Sequence, residues 1–286
     1  MSRRPDKRRY GPSGGKGKKR ELAIGREGVA AGLAIAALGL LAGFIALPLL
    51  SLVVWTVSEN AWSAMTSPVA LQALALSAKT TAATMAILVT LGTPAAYLLA
   101  RADFRGNRAL NTLIELPIVL PPSAAGIALL LAFGRFGLLG EPLSAFGITI
   151  SFTTVAVVMA ELFVAAPFYV RQAATGFAEI ERSVEEAALV DGADRPAAFF
   201  RVTVPLAFPA LVAGAITAWA RALGEFGATI VFAGSFPGVT QTVPLAIYAA
   251  FQSDLDAAVA LSVLVLGFAF AVIFAVRYLL RPEPRL

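Results

Sequence analysis

The segment GFAEIERSVEEAALVDGADRPAAFFRVTVPL, residues 176–206, lies between two long apolar runs and has amphipathic spacing of its own. Ser183 followed by Glu186 matches a capping box and predicts the start of a short helix, which Gly192 would end. Asp194, followed two residues later by a proline, predicts the start of a second helix. The segment is therefore predicted to be a helix-turn-helix between two apolar helices.

The apolar runs around this segment indicate a membrane protein. Hydrophobic residues make up 58% of the 286-residue chain and charged residues 14%, where a soluble domain has about a quarter charged. Several runs exceed the ~18 residues that cross about 30 Å of hydrocarbon. Six spans are predicted, at residues 29–57, 69–100, 109–134, 152–175, 207–233 and 257–280. The predicted fold class is an all-α integral membrane protein with six transmembrane helices, in a transmembrane domain of residues 29–286.

Lysine and arginine are distributed unevenly along the chain. Residues 1–28 are rich in Gly, Ser, Lys and Arg and have little to bury, so they are predicted to form a disordered basic tail. The loops 58–68 and 234–256 contain no Lys or Arg, and the loop 135–151 contains only Arg135. By the positive-inside rule the tail and both termini are cytoplasmic. Because the basic residues serve this orientation, nucleic acid is not an expected partner.

The chain has no cysteine and no histidine. Thiol nucleophiles, Ser-His-Asp triads and Cys/His metal sites are therefore excluded. No catalytic residue and no metal site is predicted.

The spacing in the helix-turn-helix resembles the EAA loop of binding-protein-dependent ABC importer permeases. That pattern is E-A-A, three residues, G, nine residues and I-x-L-P; here Glu186, Ala187 and Ala188 precede Gly192, and V-x-V-P ends at Pro205. In that family the loop holds a coupling helix that docks on a cytoplasmic ATPase subunit. The resemblance implies type I importer architecture and a coupling role for these five residues. The alternative is that the glutamate completes a capping box and the alanines favour helix.

The stretch RALGEFGAT, residues 221–229, places two charges inside the fifth predicted span. Arg221 lies about 20 Å from the start of that span, where an unpaired charge costs about 2.5 to 3.5 kcal/mol. Arg221 and Glu225 are spaced to form a pair, and Gly224 and Gly227 permit close helix contact or a bend. Two interpretations remain open: the pair holds the span to a neighbouring helix or second subunit, or Arg221 lines the path of an anion while Glu225 holds it in place.

Two further stretches extend the resemblance. ARALGEFGATIVFAGSFPGVTQTVPLAIY, residues 220–248, and ELPIVLPPSAAGIALL, residues 115–130, resemble the molybdate permeases, the membrane subunits of molybdate/tungstate ABC importers. In that family spans three and five line the gate. The candidate pore and gate residues are Pro121, Pro122, Ser123, Arg221, Gly224, Glu225 and Gly227. The double proline is also predicted to break span three, with a simple packing kink as the alternative.

The resemblance also implies partners. Two copies of the chain would form one pore in a prokaryotic plasma membrane, with two cytoplasmic ATPase subunits that hold ATP and Mg²⁺, and an extracytoplasmic oxyanion-binding protein. By the same resemblance, the chain itself would be a transporter subunit and not an enzyme, and it would bind no cofactor. The implied cargo is molybdate, with tungstate not distinguished from it. The alternatives are a sulfate or other oxyanion permease, an ion-coupled secondary transporter that uses Glu225, and an intramembrane enzyme with Asp- or Glu-based chemistry.

Overall fold

A computed structural model describes residues 15–56 and 59–279, and these residues form helices and turns without a strand. The chain divides after Trp55 into two compact units. The first unit contains α1 (Gly15–Trp55), whose part Ala31–Trp55 is long and apolar enough to cross a membrane. Residues 15–28, predicted to be disordered, belong to this helix, because helical hydrogen bonding propagates from the apolar part through lysines and glutamates that favour helix. Residues 1–14 lie outside the described residues.

The second unit contains the remaining helices. In chain order they are α2 (Glu59–Met65), α3 (Pro68–Arg101), α4 (Asn107–Val119), α5 (Pro122–Phe133), α6 (Gly140–Ala145), α7 (Thr154–Ala178), α8 (Arg182–Val190), α9 (Arg195–Ala198), a π-helical turn (Phe199–Thr203), α10 (Val204–Leu223), α11 (Gly227–Phe232), α12 (Val243–Phe251) and α13 (Leu255–Leu279). The predicted spans two, four and six agree with α3, α7 and α13 to within three residues at each end.

In the described part of the chain, five helices are long and apolar enough to cross a membrane, and the bent pair α4–α5 gives a sixth span if the pair is counted as one. This confirms the predicted fold class of an all-helical membrane protein. It also shows that two of the six predicted spans are not continuous helices.

The predicted third span, 109–134, is broken where α4 ends and α5 begins. The two helices are bent by 118°, so the prediction that the double proline breaks this span is confirmed. Pro121 precedes α5 and Pro122 is its first residue. Neither proline has an amide hydrogen with which to continue the hydrogen bonding of α4.

The predicted fifth span, 207–233, is divided as well. The long helical segment begins at Arg195 and ends at Leu223, and α11 is a separate short helix. The amide of Gly224 makes the last regular α-helical hydrogen bond, to the carbonyl of Ala220 at 3.2 Å, and the amide of Glu225 then bonds to the carbonyl of Ala222 at 3.0 Å. Because the backbone leaves the helical path after Gly224, the fifth predicted span is two helices and not one.

The core of the second unit lies between α3, α7 and α10, and small side chains dominate it. Ala96, Ala165, Ala173 and Ala218 are fully buried. A Cβ atom at Gly176 of α7 would collide with the Cβ atom of Ala210 in α10. Such small residues allow the backbones of membrane helices to approach closely, and dispersion contacts then stabilise the packing.

The segment 176–206 is a helix-turn-helix, as predicted. Gly192 has a φ of +94°, and the amide of Ala193 bonds to the carbonyl of Ala188 at 3.0 Å, which is a helix-ending motif that favours glycine. Asp194 caps α9 by accepting a hydrogen bond from the amide of Ala197 at 2.7 Å. Both of these predictions are confirmed.

The predicted capping box at Ser183 is wrong. Glu181 occupies the cap position of α8, with extended backbone angles, and Ser183 lies inside the first turn. The hydroxyl of Ser183 donates to the carboxylate of Glu181 at 3.2 Å. Since α8 starts one residue before Ser183, that side chain cannot reach the free amides in the way that a capping residue does.

Candidate coupling helix and membrane gate

Inside the second unit, the break between α4 and α5 lies against the break between α10 and α11. A Cβ atom at Gly227, the first residue of α11, would lie 2.5 Å from the Cβ atom of Pro122 and 3.3 Å from the amide nitrogen of Ser123. A Cβ atom at Gly126 of α5 would lie 2.8 Å from the carbonyl oxygen of Ala228. Glycine is therefore required at both positions for α5 and α11 to pack this closely. The structure thus brings together three of the predicted gate residues, Pro122, Ser123 and Gly227.

The other predicted gate positions lie around this contact in different ways. Pro121 is exposed and serves as the residue before α5. Gly224 ends α10, and a Cβ atom there would meet only the carbonyl oxygen of Ala220, at 3.5 Å. The structure therefore shows no close packing that requires a glycine at position 224.

Glu225 has a structural role that the sequence did not reveal. Its side chain is buried, and its Oε1 atom accepts a hydrogen bond from the amide of Ala228 at 2.7 Å, so it caps the start of α11. Its Oε2 atom lies 2.7 Å from a terminal nitrogen of Arg221, whose side chain is 28% exposed. The predicted pair forms, and it joins the end of α10 to the start of α11 across the break. This geometry is compatible with both interpretations of Arg221.

The predicted coupling residues lie on and after α8. Glu186 and Ala187 are exposed, Ala188 is half-buried, and Glu186 makes no hydrogen bond or ion pair within the described part of the chain. The next turn exposes Leu189 and, at 86%, Val190. The helix therefore presents one unpaired carboxylate beside an apolar patch, and a protein surface with basic and apolar groups would complement it.

The remaining two coupling residues shape the backbone. Gly192 ends α8 in the left-handed conformation, and Pro205 follows the π-helical turn inside the continuous helical segment Arg195–Leu223, where its missing amide hydrogen removes one donor from the helical hydrogen bonding. These residues determine how α8 is connected to α10, and both side-chain positions are exposed.

Three charged residues of the second unit were not identified from the sequence. Glu185 lies next to Glu186 but turns toward the membrane helices, where Arg101 pairs with it at 3.0 Å. Glu161 of α7 is buried, and the hydroxyls of Thr80 and Thr84 donate to it at 2.7 and 2.8 Å.

The third, Lys79 of α3, is exposed. An isolated charge inside an apolar run was the available signal for both Lys79 and Glu161.

These features define a class of protein. Up to six apolar spans in the described residues, two broken helices that meet within the second unit, and an exposed helix hairpin between α7 and α10 together characterise a multi-pass membrane protein. The chain belongs to the family of binding-protein-dependent transport system inner membrane components, which it matches over residues 89–284.

Several relatives share much of the sequence. The molybdenum transport system permease protein ModB of Mycobacterium tuberculosis (strain ATCC 25618 / H37Rv) is 46% identical over 233 residues, which are 82% of this chain and 88% of the relative. ModB of Escherichia coli (strain K12) is 39% identical over 64% of this chain and 80% of its own length. These relatives confirm the resemblance to molybdate permeases, and they confirm the prediction of a transport permease in place of an enzyme.

Solved structures share the fold. The crystal structure of a bacterial ABC transporter involved in the import of alginate matches with a TM-score of 0.72 at 15% identity, over 93% of this chain and all of the other. A second structure, of a bacterial alginate ABC transporter in complex with a pentasaccharide-bound periplasmic protein, has a TM-score of 0.70 over 91% of this chain. Both confirm the fold of an ABC transporter permease.

Proposed function

We propose that this chain is the pore-forming subunit of an ATP-driven importer that carries molybdate into the cell. The curated relatives named as molybdenum permeases, up to 46% identical over most of the chain, support this cargo. The observation that carries the coupling role is the exposed face of α8, where Glu186 has no partner within the described residues and Val190 is almost fully solvent-accessible.

The partners follow from this arrangement. Two copies of the chain form one pore, two cytoplasmic ATPase subunits bind ATP and Mg²⁺, and an extracytoplasmic protein delivers the oxyanion. Glu186, Ala187, Ala188 and Gly192 then form the surface that docks on the ATPase, and Pro205 starts the membrane helix behind it. The chain itself needs no cofactor, because hydrolysis takes place on the ATPase.

The cytoplasmic side is assigned from charge. Arg101, Arg182, Arg195 and Arg201 belong to the same end of the second unit as α8, whereas the loop 234–256 contains no Lys or Arg. An excess of basic residues is typical of cytoplasmic loops. We therefore place α8 and both termini in the cytoplasm of a prokaryotic cell.

The gate is proposed at the two helix breaks. When the ATPase subunits close on ATP, they displace α8, and the rigid helices attached to it move as bodies. The contact of Pro122 and Ser123 with Gly227 joins two short helices, α5 and α11, so that a small movement of α10 shifts both of them. The Arg221–Glu225 pair holds α10 and α11 together during this movement, with its charge largely neutralised.

The test is uptake of labelled molybdate into vesicles that contain this chain, its ATPase and its binding protein. We expect uptake that requires ATP and that tungstate, but not sulfate, inhibits. Equal inhibition by sulfate would assign the chain to sulfate or general oxyanion transport. Uptake that does not require ATP would contradict the importer and favour an ion-coupled transporter.

A further inference from the structure

Glu185 is placed to connect the docking helix α8 with two membrane helices. Its Oε1 atom lies 3.0 Å from a terminal nitrogen of Arg101, at the end of α3, and accepts a hydrogen bond from the hydroxyl of Thr203 at 3.2 Å. Its Oε2 atom accepts from the hydroxyl of Tyr97 at 3.1 Å. One carboxylate of α8 thus receives three side-chain donors from other elements.

Two further hydrogen bonds, both to backbone carbonyls, join α8 and the residues before it to the end of α3. Arg182, the first residue of α8, donates to the backbone carbonyl of Arg101 at 3.2 Å. Arg101 also donates to the carbonyl of Ile180, at 2.7 Å, just before α8 begins. We call the side chains Tyr97, Arg101, Arg182, Glu185 and Thr203 the α8 clasp.

The charged pair of the clasp is largely shielded from solvent. The side chains of Arg101 and Glu185 are 12% and 16% exposed. Salt and water therefore screen this pair much less than a surface ion pair. Glu186, one residue further, is exposed and unpaired in the described part of the chain, so the two adjacent glutamates face different surroundings.

The clasp reaches the gate through the π-helical turn. Thr203 is the last residue of that turn, and α10 follows directly and ends at the break beside Glu225. Phe199, at the start of the turn, packs edge-on against the ring of Tyr97, with the ring centroids 4.8 Å apart. π-Helical turns interrupt regular α-helix and are common at functional sites. Glu185 is thus bonded to the end of α3 and to the start of α10.

We propose that Glu185 is the positioning residue that transmits movement of α8 to α3 and α10, while Glu186 belongs to the docking surface. This inference rests on the proposed function, in which α8 docks on the ATPase. A displacement of α8 pulls on α3 through Arg101 and Tyr97 and on α10 through Thr203. Without the carboxylate, α8 keeps the two arginine bonds to backbone carbonyls but loses its three side-chain contacts with α3 and the π-helical turn, so it follows the two membrane helices less closely.

The first experiment measures molybdate transported per ATP hydrolysed, in vesicles with the ATPase and the binding protein. Glu185→Gln retains the shape but offers one carbonyl oxygen for three donors. We expect this ratio to fall about tenfold, while the amount of ATPase that copurifies with the permease stays at the wild-type level. Glu179→Gln is the matched control, since Glu179 is an exposed carboxylate at the end of α7 in the same loop, and it should leave the ratio unchanged.

Two results would overturn the proposal. One is a transport-to-hydrolysis ratio in Glu185→Gln equal to that of the Glu179→Gln control. The other is loss of ATPase from the purified Glu185→Gln complex, because Glu185 would then act in docking. If Glu185→Gln does not assemble, Tyr97→Phe replaces it: this variant removes one donor and keeps the ion pair. A drop in its ratio of about threefold supports the proposal, and an unchanged ratio overturns it.

A second experiment does not depend on the cargo. The chain has no cysteine, so two spin labels can be attached at Thr90→Cys in α3 and Ser183→Cys in α8, both exposed positions. The distance distribution should be narrow with Glu185 and broad with Glu185→Gln. Distance distributions of equal width in the two proteins would show that Glu185 does not hold α8 against α3. If the wild-type complex shows no ATP-dependent uptake, the proposed function fails, and the label distances still decide whether Glu185 holds α8 against α3.

Discussion

At the scale of single residues, Gly224 and Gly227 are similar in sequence but differ in surroundings. A Cβ atom at Gly227 would lie 2.5 Å from the Cβ atom of Pro122, whereas one at Gly224 would lie 3.5 Å from a carbonyl oxygen. The first distance is shorter than carbon atoms tolerate, and the second is an ordinary contact. The same substitution therefore has different consequences at the two positions.

We expect Gly227→Ala to lower the free energy of unfolding by about 1 to 3 kcal/mol, because α5 and α11 must move apart. Gly224→Ala should change it by less than about 1 kcal/mol. Thermal unfolding of the two purified variants in detergent, compared with the wild type, measures the difference. Equal melting temperatures would mean that the contact between Gly227 and Pro122 is not tightly packed.

Arg221 and Glu225 are predicted to depend on each other. Arg221→Ala leaves the buried carboxylate of Glu225 with the amide of Ala228 as its remaining partner among the described residues, and we expect a loss of stability of about 3 kcal/mol. Adding Glu225→Gln should recover much of this loss, because a neutral amide can still accept the hydrogen bond from Ala228. Unfolding of the single and double variants tests this. A double variant as unstable as Arg221→Ala would show that the charge of Glu225 is balanced by another group.

At the scale of elements, α8 shows how one short helix can serve two surfaces. Glu186 points outward beside an apolar patch, and Glu185 points toward α3 and α10. The exposed face can be altered without touching the clasp. The role of the docking surface can therefore be tested separately from the role of Glu185.

Glu186→Lys reverses the charge of the proposed docking surface. We expect the ATPase to copurify at least tenfold less with this variant, because like charges across an interface cost several kcal/mol, and molybdate uptake should fall in parallel. Glu179→Lys makes the same charge change at an exposed site in the same loop and should retain both. If Glu186→Lys bound the ATPase as well as the wild type does, Glu186 would not belong to the docking surface.

At the scale of the whole molecule, the proposed orientation places α8 and the loop after α5 on opposite sides of the membrane. Single cysteines at Glu181 in front of α8 and at Leu138, which is 85% exposed, can be introduced into this cysteine-free chain. An impermeant maleimide added outside intact cells should label Leu138→Cys and leave Glu181→Cys unlabelled until the membrane is opened. Labelling of Glu181→Cys, and not of Leu138→Cys, in intact cells would place α8 outside the cell and contradict the proposed orientation.

Several parts of this structure could be predicted from local sequence. The spans of α3, α7 and α13, the end of α8 at Gly192 and the cap at Asp194 depend on apolar length and on nearby backbone groups. The break before Pro122 follows from missing amide hydrogens. By contrast, the close packing of α5 against α11 joins Gly126 to Ala228 and Pro122 to Gly227, which are far apart in the chain, and no local pattern specifies it.

By itself, the sequence determined that this chain is a helical membrane protein with an exposed helix hairpin, because hydropathy, caps and prolines act within a few residues of one another. The tertiary structure alone decided which polar groups meet. Arg101 and Glu185 are 84 residues apart in the chain, and Thr80 and Glu161 are 81 apart. Buried charges need partners, but packing of the small-residue faces of α3, α7 and α10 brings those particular partners together.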